Sequence, residues 1–222
     1  VSLYETFAPI SSGLHVEVKP AAEHHYVHGI GKRLLDLAIA IPALIVLSPL
    51  FLILAILIRR DSQGPAMFRQ TRLGLHGQPF HIYKFRTMTV LEDGPVIQQA
   101  AKNDVRVTKT GRWMRRLSLD ELPQLFNVIN GEMSLIGPRP HALAHDRHYG
   151  RAIDGYDLRQ SVRPGISGWA QVHGHRGATA TTSEMRERLA YDIWYARNAS
   201  FALDLKIILR TFREVLGQRN AY

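Results

Sequence analysis

Apolar residues keep three different rhythms along this chain, and each predicts a different kind of element. The first is an unbroken run: "LAIAIPALIVLSPLFLILAILI", residues 37–58, holds 22 positions without a charge. At ~1.5 Å per residue, a helix of that length just crosses a bilayer's hydrocarbon core. It starts well inside the chain and lacks a small-residue cleavage site, so it does not read as a signal peptide. A run this long is also rare in a buried soluble core. Basic residues stand on both sides, Lys32 and Arg33 before it and Arg59 and Arg60 after it, whereas a spanning helix asks for one positive flank. Pro42 and the Ser48-Pro49 pair interrupt the run, and a serine hydroxyl can satisfy a carbonyl that proline leaves free. These features favour a re-entrant helix that bends at Ser48-Pro49 and leaves by the face it entered, over a single kinked span. Both basic flanks are then expected at the anionic cytoplasmic surface.

The second rhythm is alternation. Residues 67–72 and 80–86 carry aromatic and β-prone side chains around Gly74 and Gly77, which predicts a β-hairpin. Lys84 and Arg86 alternate there with Tyr83 and Phe85, giving one cationic face. Residues 91–103 read as a short helix and a loop. The third rhythm is helical. "TGRWMRRLS" sets Arg112, Arg115 and Arg116 beside Trp113 and Met114 in a short basic amphipathic helix suited to an anionic surface. "SEMRERLAYDIWYARN" and "SFALDLKIILRTFREVLG" are amphipathic helices with Ser183 and Ser200 as N-caps and Gly217 as a stop. Core packing is the default for their apolar faces, and lipid is the alternative.

Charge narrows the partner. Lys and Arg number 28 against 19 acids, a formal net charge of +9, which points to nucleic acid, an anionic membrane or a phosphate-rich substrate. The absence of cysteine excludes a disulfide framework.

Candidate chemistry centres on adjacent acids, Asp120 and Glu121, directly after the basic run. Ser118-x-x-Glu121 has capping-box spacing, and Pro123 belongs in a helix's first turn. Either assignment puts Asp120 at a helix N-terminus, where free N–H groups favour anions, and a capping acid is the plain reading. Downstream, "GPRP" holds Arg139 extended between two prolines, a rigid guanidinium that suits a phosphate clamp. "RPGISGWAQVHGHRG", residues 163–177, adds four glycines and two arginines, and glycine lets backbone approach a ligand closely. Together these describe a phosphate-handling cleft beside a membrane. His24, His25 and His28 read as a solvated lead-in. His141, His145 and His148 have a spacing that suits zinc, with a solvated helix face favoured over it.

With these motifs in order, the chain resembles the bacterial sugar transferase family, the monotopic polyprenyl-phosphate phosphoglycosyl transferases. The resemblance runs from about Gly31 to Gly217. It rests on "GKRLLDL", the Ser-Pro-broken run, "FRQTRLG", "YKFRTM", "GRWMRRLSLDELPQLFNVINGEMSLIGPRP", "RPGISGWAQVHG" and "YDIWYARN…LDLKII". It implies transfer of a sugar-1-phosphate from a UDP-sugar to undecaprenyl phosphate at the cytoplasmic face of the bacterial inner membrane, initiating an exopolysaccharide, capsule or glycoconjugate. In the family pattern Asp120 attacks the β-phosphorus, expels UMP and carries the phosphosugar, while Glu121 helps hold Mg2+. Lys84, Arg115 and Arg139 match its basic active-site positions, Arg176 is a further phosphate contact, and Ser48-Pro49 is the membrane kink.

"VHGHRG" resembles the "VNGWRG" of members that transfer glucose-1-phosphate. It departs at His173 for Asn, at His175 for Trp, and at "ATAT" (residues 178–181) for "ETDT". UDP-glucose is the expected donor, with UDP-galactose next. Glucose-branch members often carry a further N-terminal membrane region, so a chain opening on Val1 fits an excised catalytic part or a short form. The expected fold is α+β and mostly helical: a monotopic membrane protein with a re-entrant helix, a β-hairpin and amphipathic interfacial helices. Its expected division is an extension (1–30), the membrane helix (31–60) and a cytoplasmic catalytic domain (61–222). The pattern admits a homodimer and no nucleic acid. A non-catalytic, membrane-anchored basic scaffold of an envelope-polysaccharide complex is the competing class. It explains the charge and the anchor but not Asp120-Glu121.

Overall fold

The computed structural model describes residues 25–89, 104–177, 179 and 181–216. The helix and loop expected over 91–103 lie outside these residues, as do His24 and Gly217. A one-turn helix α1 (His25–His28) leads into α2 (Ile30–Asp61), 32 residues and about 48 Å long at the usual rise. Pro42 and Pro49 both lie inside α2. Proline 49 has no N–H to offer the Ile45 carbonyl, and the neighbouring Ser48 hydroxyl donates to that oxygen at 2.8 Å.

The expected hairpin forms from β1 (Met67–Leu73) and β2 (Pro79–Phe85), antiparallel with Phe68 opposite Lys84. Helix α2 and strand β2 share two apolar clusters. Ala40, Ala43, Leu44 and Leu47 pack around Phe80, Ile82, Leu125, Val128 and Met133, and Leu50, Leu54 and Ile58 pack around Ala66, Phe85 and Met114. Residues on either side of Ser48-Pro49 therefore rest on one body. The opposite side of α2 exposes Ile41, Ile45, Val46, Leu52, Ile53 and Ile56.

The flanks of α2 correct the charge reading. Lys32 is buried and pairs with Asp36 at 3.3 Å and Asp204 at 2.7 Å. Arg33 donates to the Val128 and Ile129 carbonyls at 2.5 and 2.6 Å, capping another helix's end. The leading basic flank is thus spent inside the protein, and only Arg59 and Arg60 are exposed. Arg86 also departs from expectation. It is buried and donates to the Ile58, Ser62 and Gln63 carbonyls, closing the C-terminus of α2 instead of extending a cationic strand face.

The basic helix appears as α3 (Lys109–Arg116), capped by Thr108, whose hydroxyl accepts from Gly111 N–H at 2.9 Å. Met114 is buried under it while Trp113 is 40% exposed. Then come α4 (Gln124–Asn130), β3 (Ser134–Ile136), α5 (Leu143–Ala152), β4 (Gly165–Ser167), α6 (Thr182–Asn198) and α7 (Phe201–Leu216). Strands β3 and β4 pair in parallel, Ser134 beside Gly165. Both late helices were expected, but the cap of α6 is Thr181, not Ser183. Thr181 and Glu184 exchange side-chain-to-backbone hydrogen bonds at 3.2 and 3.1 Å. Ser200 caps α7 as expected, accepting from Leu203 N–H at 3.3 Å. Their apolar faces divide. Met185, Leu189, Tyr195 and Ala196 of α6 are buried, whereas Phe201, Leu205, Leu209 and Phe212 form an exposed stripe on α7.

Candidate active site

The adjacent acids occupy a tight reversal. After α3 the chain turns at Ser118, whose φ of 58° is left-handed, a conformation that costs a non-glycine residue roughly 1–2 kcal/mol. A one-turn 3-10 helix (Leu119–Glu121) follows, and Pro123 then opens α4. The expected capping box is absent: Ser118 caps nothing with its side chain, and its hydroxyl accepts from Arg176 at 2.6 Å. Asp120 accordingly sits a turn before α4 and is not its N-cap.

The two carboxylates differ sharply. Glu121 is buried, accepting from Lys84 Nζ at 2.9 Å, from Arg139 at 3.0 Å on Oε2, and again from Arg139 on Oε1. Burial alone would raise its proton affinity, but Arg139 and Lys84 hold it well below the usual carboxylate range. Asp120 makes no hydrogen bond among the described residues. Burial, and next the charge of Glu121, push its pKa up; Lys84, Arg115 and Arg139 oppose that rise. One acid is clamped and buried, and the other is part-buried with no hydrogen bond on its oxygens among the described residues.

Arg139 owes its position to the β3–β4 pair, which sets "GPRP" against "RPGISG". The contact is so close that a Cβ on Gly165 would meet Gly137 N at 2.1 Å, so only glycine fits. From behind, Arg159 donates to the Arg139 carbonyl at 2.5 Å and to Asp192 at 2.9 and 3.0 Å. His141 belongs to this scaffold. It lies before α5, buried between the Tyr156 hydroxyl at 2.5 Å and Arg159 at 3.2 Å. Burial and the charges of Arg159 and Arg188 keep it neutral, well below the usual histidine range. It is therefore neither a zinc ligand nor on a solvated face with His148, which alone of the three is exposed. Among the described residues no group of three or more His, Cys, Asp or Glu converges.

An apolar cavity of about 330 Å³ adjoins the turn. Ile39, Ala43 and Leu47 of α2 and Ile208 and Phe212 of α7 line it together with Ser118, Glu121 and Arg176. It puts apolar side chains of α2 and the charged Glu121 and Arg176 around one space.

Comparison with known proteins decides the family. A model for bacterial sugar transferases matches residues 27–218. The chain belongs to that family. It is 52% identical over 191 residues to a protein of Caulobacter vibrioides and 50% identical over 194 to one of Xanthomonas campestris, both named UDP-glucose:undecaprenyl-phosphate glucose-1-phosphate transferase. It is 43% identical over 191 residues to an Aeromonas hydrophila protein named for N-acetylgalactosaminephosphotransferase activity on undecaprenyl phosphate. The matches cover 86–87% of this chain, but 72%, 40% and 44% of those relatives respectively.

Within this bacterial sugar transferase, the structure brings together Asp120, Glu121, Lys84, Arg115 and Arg139, and Arg176 joins them through Ser118. Sequence reasoning missed Arg159 and Asp192, the pair behind Arg139. The available signal was an acid inside the aromatic run "YDIWY", because a charge among core residues needs a buried partner. For Mg2+ the donor set fits. That ion takes one or two carboxylates completed by substrate phosphates and water, and Glu121 would supply one. Both oxygens of Glu121 already accept from cations, so Glu121 has room for a metal only once a diphosphate draws Lys84 and Arg139 away.

Proposed function

We propose that the protein transfers a sugar-1-phosphate, glucose-1-phosphate first among candidates, from a UDP-sugar to undecaprenyl phosphate, with Asp120 as nucleophile. The carrying observation is the asymmetry of the pair: Glu121 is saturated by Lys84 and Arg139, while Asp120 is part-buried and without a hydrogen bond among the described residues. An Asp120 oxygen attacks the β-phosphorus, and the bond to the bridging oxygen breaks, so UMP leaves with that oxygen. A phosphate oxygen of the lipid then attacks the same phosphorus, and the Asp120–phosphorus bond breaks to restore the carboxylate. Lys84, Arg115, Arg139 and Arg176 would hold the phosphate oxygens, and Arg159 keeps Arg139 in place. Glu121 would hold Mg2+, which when bound neutralises charge on the diphosphate.

The cavity beside Glu121 suits an acceptor with a phosphate head and an apolar tail. The exposed apolar sides of α2 and α7 suit a lipid environment, and the rest of α2 packs on the catalytic body on either side of Ser48-Pro49. This supports a monotopic, re-entrant helix over 31–60; the cytoplasmic face of the inner membrane is the side proposed for the catalytic domain, since UDP-sugar is a water-soluble donor. The names of the two 50–52% relatives support UDP-glucose over N-acetylated donors.

The test is UMP release by protein in nanodiscs with Mg2+, undecaprenyl phosphate and a panel of UDP-sugars, joined to intact mass. Sugar-selective release and a hexose-phosphate adduct are expected, both lost in Asp120→Asn. No turnover by folded, inserted protein with any donor would leave the non-catalytic scaffold.

A further inference from the structure

The two ends of α2 are electrostatically unlike. At the leading end Lys32 and Arg33 are consumed by Asp36, Asp204 and the carbonyls of α4. At the trailing end Arg59 and Arg60 are exposed, and α3 is fastened beside them. Asp61 accepts from Thr110 N–H at 2.8 Å, and Met114 packs into the cluster of Leu54 and Ile58. With its inner side thus held, α3 turns Lys109, Arg112, Trp113 and Arg116 outward. Arg112, Arg116, Arg59 and Arg60 have no ion pair among the described residues, while Lys109 lies close enough to Asp61 for its charge to lower that acid's pKa. Asp61, the acid among them, is already engaged.

We infer that α3 and the trailing end of α2 form a docking surface for anionic phospholipid headgroups, selective for anionic over zwitterionic lipid. The occupant follows from complementarity. Exposed cations at the end of an apolar helix, with an indole among them, match an interface where phosphate lies above acyl chains. The four arginines are exposed and have no acidic partner among the described residues. The surface also bears on the reaction, because α3 runs through Leu117 directly into Ser118 and the Asp120 turn. Headgroups gripping α3 hold that turn at the depth of the bilayer phosphates. The inference rests on the membrane reading above but not on the chemistry.

Trp113 reports on it. Trp169 and Trp194 stack on one another at 4.8 Å, and Trp113→Phe protein measures their background. Full-length protein is reconstituted into nanodiscs of mixed phosphatidylcholine and phosphatidylglycerol, with bromine on the acyl chains of one lipid or the other. Trp113 quenching should be stronger from brominated phosphatidylglycerol, and high ionic strength should remove the difference. Arg112→Gln/Arg116→Gln should lower the enrichment by about fivefold per cation lost, and Arg112→Lys/Arg116→Lys should retain it. UMP release, measured on the same samples, separates a failure of the chemistry from a failure of docking. Equal quenching by the two lipids in inserted protein overturns the inference. So does a preference unchanged in the glutamine variant, or salt-sensitive quenching by an added oligonucleotide in place of the lipid.

Discussion

Asp120 and Glu121 feel the same cations, Lys84 and Arg139, yet their carboxylates shift in opposite directions. The cations touch Glu121, so its neighbour meets their charge only at a distance and carries the like charge of Glu121 as well. The direction of the Asp120 shift has a testable sign. Attack requires the carboxylate, so activity falls as pH drops through a value raised above the usual aspartate range. Arg115 opposes that rise, so Arg115→Gln should move the acid limb of kcat/KM to higher pH. A pH–rate profile checks this, and an unmoved limb would remove Arg115 from the field at Asp120. Stability runs oppositely for the two acids. The raised Asp120 favours the fold below its unfolded pKa and loses that contribution as pH rises. The depressed Glu121 stabilises above its unfolded pKa and loses that contribution as pH falls through its folded value. The residues at this scale were legible because chemistry constrains residue type. Which acid would be clamped was not, because Lys84, Arg139 and Glu121 meet only after folding.

Among the elements, length and periodicity governed legibility. Helix α2, the hairpin and the two late helices declared themselves through long apolar patterns. Strands β3 and β4 have three residues each, too few to show alternation, and their pairing bridges the whole of α5. The cap of α6 is a different miss. "TTSE" offers three hydroxyl residues in a row, and only Thr181 stands three before Glu184, the spacing of a reciprocal cap. Thr181→Ala should cost about 1 kcal/mol, while Ser183→Ala should cost much less. Thermal unfolding in detergent measures both, and equal losses would show that the reciprocal bonds contribute little.

For the whole molecule the question is which side of the membrane each end of α2 occupies. The chain has no cysteine, so single cysteines can answer it. His28→Cys and Gln63→Cys stand at exposed positions beyond the two ends. A re-entrant α2 predicts that an impermeant maleimide labels both in inverted vesicles and neither in intact spheroplasts. Opposite labelling would establish a span. The apolar run was readable from composition alone as a helix long and apolar enough to cross a membrane. That it also supplies core side chains was not, because the exposed and buried positions of α2 are apolar alike, and only packing separates Leu52 from Leu54.

That dual service sets where such a protein can be cut and rejoined over evolutionary time. Ala40, Leu54 and Ile58 are interior side chains of the body that carries Lys84 and Glu121. Recombination near residue 62 would hand a descendant two cores with a wall missing from each. The heritable unit is therefore helix and catalytic fold together.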